Sequence, residues 1–430
     1  MKRFALVVLL LCGAVLMVVA QPTIPFIKVE VRPDHTDWLY SCGEKPQFAV
    51  EVTTCSNAPV ENVEVSYEVS EDMLPPLAKG KMVLRDGKTV IKGYTMRKPG
   101  FLRCRIWATV DGKTYEECAT AGFDVDKIKA TTTMPDDFEQ FWRKALADNE
   151  KIELLPQLTL LPEHSTSKVD VYLAKFQNFR QGSYIYGTMC VPKQRTGKCP
   201  AILIVPGAGC RARTGYMEEA EKGVVTLEVG IHGIPTTMFG STLYKEMYRS
   251  TLYRYWLHSI DDKDNYVYKR IFLGCARAID FLAQLDFVDA ERIAVTGGSQ
   301  GGALTIVTSY LNPRVKFAAA IYPAMCDLTG HLHNQGNAWP YIFTNKSLAT
   351  PQRLETAKYY DVVNFARLMR QPIFFTFGYN DMVVCPTSMY AGYNAVTSPK
   401  ELMPVPQSRH YTYPEQKEAR SKWLLERLLK

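Results

Sequence analysis

The sequence predicts an α/β protein built on a mostly parallel central sheet flanked by helices, preceded by an all-β domain. Three observations carry that reading. Short alternating runs separated by Asp-Gly turns fill the early part of the chain. Strand and helix patterns then alternate from about residue 134 onward. Within them, one β-branched apolar run ends in Gly297-Gly298-Ser299-Gln300-Gly301 and continues into helix-forming residues.

Taken in order, the chain opens on Met1-Lys2-Arg3 and an apolar run, 4–20, with Ala20 before Gln21. A basic start, an apolar centre and a small residue at the cut predict a signal peptide, 1–20, and a secreted or periplasmic product. The run contains Gly13 and is barely long enough to span a bilayer, so no stable membrane span is expected after cleavage. Loss of Lys2 and Arg3 with the leader lowers the formal charge of +7 by two, and the remaining charge is scattered, which excludes a nucleic-acid partner. At 430 residues, with 47% hydrophobic and 22% charged content, the chain is a folded protein of two domains.

Residues 21–126 hold Val29-Glu30-Val31 and the runs 48–52 and 63–69, punctuated by Asp86-Gly87 and Asp111-Gly112. That spacing predicts an immunoglobulin-like β-sandwich, either a structural module or an aid to binding sugars. Trp38 and Tyr40 read as exposed aromatics, and Trp107, in an alternating strand, as core. Ten cysteines follow the leader. Read as a three-residue hairpin loop, 110–112 sets Cys104 opposite Cys118, which leaves a disulfide and two buried thiols equally open. The junction is expected at 127–134, with Asp136 or Asp137 capping the next helix.

From 127 to 430 the expected strands are 168–174, 184–191, 201–205, 224–229, 293–296, 317–322, 372–378 and 401–405, with helices at 266–284 and 413–430 among them. This order is that of an α/β-hydrolase. An insert, 233–265, carries Tyr244, Tyr248, Tyr253, Tyr255, Trp256 and His258, and reads as a lid or sugar-stacking wall, with Trp339 in a second wall. His232, Tyr255, Trp256 and Trp339 are the candidate substrate-binding residues.

The Gly-x-Ser-x-Gly between strand and helix is a nucleophile elbow, because only glycines let the two elements approach a projecting serine so closely. Ser299 is the candidate nucleophile. Its partners should follow in the order acid, then histidine. Asp381 leaves the C-terminal end of the buried run 372–378, where open α/β sheets place their sites. Of the histidines after Ser299, His410 follows the last strand, whereas His331 and His333 come one strand after the elbow and have no third ligand nearby. Asp381 would orient His410, and His410 would deprotonate Ser299. The oxyanion donors are expected to be the amides of Gln300 and, from the loop Pro206-Gly207-Ala208-Gly209-Cys210, of Cys210 ahead of Gly209. No metal or cofactor is required.

These residues resemble the acetyl xylan esterase and cephalosporin C deacetylase family of α/β-hydrolases over about residues 130–430. The resemblance rests on Met134-Pro-Asp-Asp-Phe-Glu-Gln-Phe-Trp142, the elbow Gly297-Gly-Ser-Gln-Gly-Gly302 and Gly378-Tyr-Asn-Asp-Met-Val-Val-Cys-Pro-Thr-Ser388. It implies deacetylation of small acetylated sugars or xylan-derived oligosaccharides by Ser299, Asp381 and His410, and a homo-oligomer. The chain departs from the family pattern at His232-Gly233-Ile234, where the family carries Arg-Gly-Gln, and at Tyr411, which stands in place of Glu. A serine peptidase of the prolyl oligopeptidase type, a long-acyl or feruloyl esterase and a carbohydrate-binding scaffold with decayed catalysis are the competing expectations.

Overall fold

The computed structural model describes residues 26–237, 240–336 and 339–430. The leader expected at 1–20 lies outside them. No helix among the described residues is long and apolar enough to cross a membrane.

The N-terminal part contains β1 (Ile27–Pro33), β2 (Leu39–Tyr40), β3 (Gln47–Thr54), β4 (Val63–Glu71), β5 (Pro76–Leu84), β6 (Lys88–Lys92), β7 (Gly100–Val110) and β8 (Lys113–Phe123). They form a three-stranded sheet, β1-β3-β6, and a five-stranded sheet, β2-β8-β7-β4-β5. Alternating residues of both sheets meet in one core: Val31, Phe48 and Val50 from one, Val65, Leu102 and Ile106 from the other. This is what a period of two demands of strands with one buried face. The pairing of β2 with β8 is parallel, at the sheet's edge.

The β7–β8 hairpin corrects two expectations. Asp111 and Gly112 have φ of 50° and 73°, and Val110 pairs with Lys113, so the turn has two central residues of the type I′ kind rather than three. The register therefore shifts by one residue. Cys104 pairs with Ala119 and Cys118 with Arg105, so the two thiols point to opposite faces of the sheet, and both are free. Trp107 is also not in the core. It lies half-buried on the outer face, with the Arg105 guanidinium 4.7 Å from its ring centroid, because Ile106 and Ala108 take the inward positions. Tyr40, read as exposed, is buried on His35, and its hydroxyl donates to Asp34 at 2.6 Å.

Beyond the junction come α1 (Phe138–Glu150), β9 (Gln157–Leu160), β10 (Val169–Gln177), β11 (Tyr184–Pro192), β12 (Cys199–Ile204), α2 (Met217–Glu221), β13 (Val225–Gly230), α3 (Ser241–Arg249) and α4 (Val267–Ala283). They are followed by β14 (Val288–Gly298), α5 (Gln300–Leu311), β15 (Val315–Ile321), α6 (Pro351–Tyr360), α7 (Val362–Leu368), β16 (Ile373–Phe377), α8 (Pro386–Ala395), β17 (Lys400–Pro404) and α9 (Pro414–Leu428). Asp137 occupies the N-cap position of α1, but its side chain makes no cap bond and instead accepts from the Tyr359 hydroxyl.

The strands form one nine-stranded mixed sheet in the order β17-β16-β15-β14-β12-β13-β11-β10-β9. Pairings from β13 through β12, β14, β15 and β16 to β17 are parallel, whereas β13–β11, β11–β10 and β10–β9 are antiparallel. Both faces are covered, which explains the unbroken apolar runs of the central strands. Ala201 and Leu203 of β12 join the core under α4, α5 and α7, while Ile202 and Ile204 face Trp423, Leu424 and Leu428 of α9.

At the centre, β14 hands over to α5 in so little space that side chains are excluded. A Cβ on Gly301 would lie 2.4 Å from the Val205 carbonyl oxygen, and one on Gly297 2.5 Å from the same atom. Gly301→Ala should therefore cost about 2–3 kcal/mol or more of stability. Gly240→Ala, which meets nothing within 4 Å and loses only the N-cap preference of α3, should cost less, about 0.5–1 kcal/mol. Equal midpoints for the two variants, by calorimetry, would contradict the close approach.

Candidate active site

Ser299 sits between β14 and α5 with φ 61° and ψ −123°, a conformation that a non-glycine residue adopts only when its surroundings impose it. Its amide donates to the Ile321 carbonyl at 3.0 Å, and its carbonyl accepts from Ala324 at 3.1 Å, so the backbone is held on both sides. His410 lies in the loop between β17 and α9, and Asp381 follows β16. The structure brings the three together. His410 Nε2 is 3.1 Å from Ser299 Oγ, and Nδ1 is 2.7 Å from Asp381 Oδ2. Asp381 is fully buried, and its other oxygen accepts from the amides of Val383 at 2.8 Å and Val384 at 2.9 Å. The Tyr322 ring packs 4.6 Å from the imidazole, and its hydroxyl shares a 2.6 Å hydrogen bond with Thr412 on the histidine loop.

Ser299 and His410 open into a cleft of about 1230 Å³, lined near the serine by Gly207, Ala208, Arg211, Tyr322, Trp339 and Val383. Gln300 occupies the first turn of α5, where a helix amide has no intrahelical acceptor. Its side chain is buried and bridges two elements. Nε2 donates to the Pro206 carbonyl at 3.3 Å, while Oε1 accepts from Tyr268 at 2.7 Å and from Tyr255. The loop after β12 is thereby tied to the elbow. Cys210 does not line the cleft, whereas Gly207 and Ala208 of the same loop do.

The four candidate substrate-binding residues separate. Trp339 lines the cleft, and Trp256 packs edge-on against it at 5.0 Å between ring centroids. Tyr255 is fully buried and serves Gln300, so its ring is not a sugar platform. His232 stands behind Tyr255, 4.7 Å between rings, and lines a separate pocket with Arg180 and Arg270. No described residue of the 233–265 insert lines the catalytic cleft, and its Tyr255 instead hydrogen-bonds Gln300 beside the elbow. His331 and His333 form a short 3₁₀ turn, and no cluster able to hold a metal occurs among the described residues.

Sequence reasoning missed the groups that hold the acid and histidine loops. Arg103, on β7, donates from one terminal nitrogen to the carbonyls of Tyr379 at 3.2 Å and Asp381 at 3.1 Å, and from Nε to Thr120 at 3.0 Å. Thr120 in turn donates to Asn380 Oδ1 at 3.0 Å, and Asn380 Nδ2 donates to the Cys118 carbonyl at 2.8 Å. Arg409, beside His410, pairs with Glu117 of β8 at 2.7 Å. The one signal was an arginine directly after Phe101-Leu102, in a strand whose opening residues are apolar on both faces.

Burial and the Arg270 charge hold the His232 imidazole down to about 4 from an ordinary 6.5. The unfolded chain then binds more protons than the folded one between those values, so stability is complete above about pH 6.5 and lost as pH falls through about 4. The loss across that window is on the order of 3 kcal/mol. In His232→Phe the melting midpoint should fall less steeply between pH 6.5 and 4.5 than in the parent; parallel curves would contradict this.

With the geometry in view, the chain's relatives fall into place. A family model described as acetyl xylan esterase matches residues 123–427. Acetyl esterase Axe7A of Xylanibacter ruminicola is 39% identical over 397 residues, covering 91% of this chain and 89% of that protein. Among solved structures, acetyl xylan esterase 1 from Thermoanaerobacterium sp. JW/SL YS485 has a TM-score of 0.60 at 24% identity, over 70% of this chain and 97% of that one. The acetyl xylan esterase from Paenibacillus sp. R4 has a TM-score of 0.60 at 25% identity, over 71% and 98%. The family match, the 39% identity across nearly the whole chain and the shared hydrolase architecture place this protein in the acetyl xylan esterase family of carboxylic ester hydrolases.

Proposed function

We propose that this protein is a secreted serine esterase that removes acetyl groups from acetylated xylan-derived or other small sugars through an acyl-serine intermediate. The observation that carries the reading is His410, which reaches Ser299 Oγ with one ring nitrogen and the buried Asp381 carboxylate with the other. The Xylanibacter relative, named an acetyl esterase, supports the choice of acyl group. A cleft of about 1230 Å³ is far larger than an acetyl group needs, and the excess suits a sugar chain, with the Tyr216 and Trp339 rings along its wall.

In this mechanism His410 Nε2 takes the Ser299 proton as Oγ attacks the acetyl carbonyl. Asp381 accepts the Nδ1 proton in a hydrogen bond, which keeps the tautomer that leaves Nε2 free and stabilises the imidazolium that forms. The oxyanion is assigned to the amide of Gln300 and, from the loop facing it, that of Ala208 in place of Cys210. His410 then protonates the departing sugar hydroxyl and activates the water that releases acetate. The N-terminal pair of sheets, 21–126, is read as an immunoglobulin-like domain joined to a catalytic domain at 127–430. Export through the leader predicts a mature chain beginning at Gln21, which N-terminal sequencing of the exported protein checks.

Ser299→Ala should lower acetate release from acetylated xylo-oligosaccharides by about 10⁴-fold or more, with an unchanged melting midpoint. Retained turnover in the alanine variant would remove the serine mechanism. Cleavage of a prolyl p-nitroanilide without ester hydrolysis would replace the esterase by a peptidase.

A further inference from the structure

Strands β7 and β8 bury residues on both faces where they meet the catalytic domain. Leu102 and Cys104 point into the N-terminal core, and Phe101 and Arg103 point out of it; yet Phe101 and Arg103 are only 1% and 2% exposed. On the neighbouring strand, Ala119 and Ala121 face inward, and Cys118 and Thr120 lie buried on the outer side. The outer face of this hairpin is thus an internal surface, and what it touches is the segment Tyr379–Asn380–Asp381.

The directions of the Arg103 hydrogen bonds are informative. A buried guanidinium needs a counter-charge, and Asp72 supplies one, with Oδ1 2.9 Å from the same terminal nitrogen. That oxygen nevertheless receives no aligned hydrogen bond, because the nitrogen's protons are aimed at the carbonyls of Tyr379 and Asp381. Asp72 spends its other oxygen on the amide and hydroxyl of Thr387, at 3.2 and 3.0 Å, in the first turn of α8 just beyond the acid loop. Asp72 supplies charge and Arg103 supplies direction, so both ends of the segment that carries Asp381 are fastened to the N-terminal domain. The histidine loop is fastened to it as well, through Arg409 and Glu117.

We propose that Arg103 is a positioning residue for catalysis: by gripping the Tyr379 and Asp381 carbonyls it sets the Asp381–His410 distance, so that the N-terminal domain completes the catalytic machinery rather than binding substrate. The proposal rests on the triad reading above. Arg103 touches neither the cleft nor Ser299, so its loss acts on turnover and leaves substrate affinity in place.

The test uses full-length protein and p-nitrophenyl acetate, with Ser299→Ala as reference. Arg103→Lys keeps the charge opposite Asp72 but lacks the planar fork that spans two carbonyls. It should lower kcat by about 10-fold or more with KM within about twofold. Replacing the buried pair by apolar residues, Asp72→Leu with Arg103→Met, removes the risk of an unpaired charge and should lower kcat by about 100-fold. A kcat loss with unchanged KM, in whichever variant folds, supports the proposal. Wild-type kcat in a folded variant of either kind would overturn it. If Ser299→Ala itself stays active, the triad reading fails and not merely this one.

Discussion

The constraint on which the site depends is the burial of the Asp381 carboxylate. A carboxylate removed from water has to be met by directed donors, and an unmatched one costs several kcal/mol, a large share of the 5–15 kcal/mol that stabilises a typical domain. Here two amides and the imidazole meet it. Those donors coincide only if the loop after β16 follows one path, and that path is held by Arg103, whose own buried charge is matched by Asp72. The sequence of obligations runs from the N-terminal sheet to the imidazole without an unpaired charge. It links the N-terminal sheets to the loops after β16 and β17 more firmly than apolar contact alone, because each buried polar group is costly to release.

A second constraint is steric. The Val205 carbonyl crowds the α-carbons of Gly297 and Gly301, which fixes the strand-to-helix distance and holds Ser299 in its strained conformation. The buried Gln300 side chain then ties the loop after β12 to the same turn through Pro206. Two hydroxyls, of Tyr255 and Tyr268, saturate its oxygen. The aromatic insert therefore serves the site as a support, and the open cleft above Ser299 is left to Trp339, Val383 and the loop at Gly207–Ala208.

Much of this was legible in the sequence, and the reasons for success and failure differ. Eight of the nine strands of the large sheet were readable, the central ones because cover on both faces leaves continuous apolar runs; β9, short and largely exposed, was not expected. Ser299, Asp381 and His410 could be aligned because chain order and strand ends restrict the candidates. The β7–β8 register was off by one because Asp111-Gly112 suits both a two-residue and a three-residue hairpin, and one residue is enough to send Cys118 to the opposite face from Cys104. Tyr255 looked like a cleft wall because aromatic composition does not distinguish a sugar platform from a buried hydroxyl donor. Arg103 was not legible as a site residue, since its partners lie 276 and 278 positions away and the one local mark, an arginine in a strand apolar on both faces, does not say what it contacts.

The central claim is that an acyl group passes through Ser299. The most direct measurement is to quench the protein with acid during turnover of an acetyl ester, digest it and weigh the peptide that contains the elbow. The account predicts one acetyl group on Ser299, present during turnover and lost once substrate is exhausted. Steady turnover with that peptide never acetylated, under conditions that make deacetylation slow, or acetyl transfer to a different residue, would contradict it.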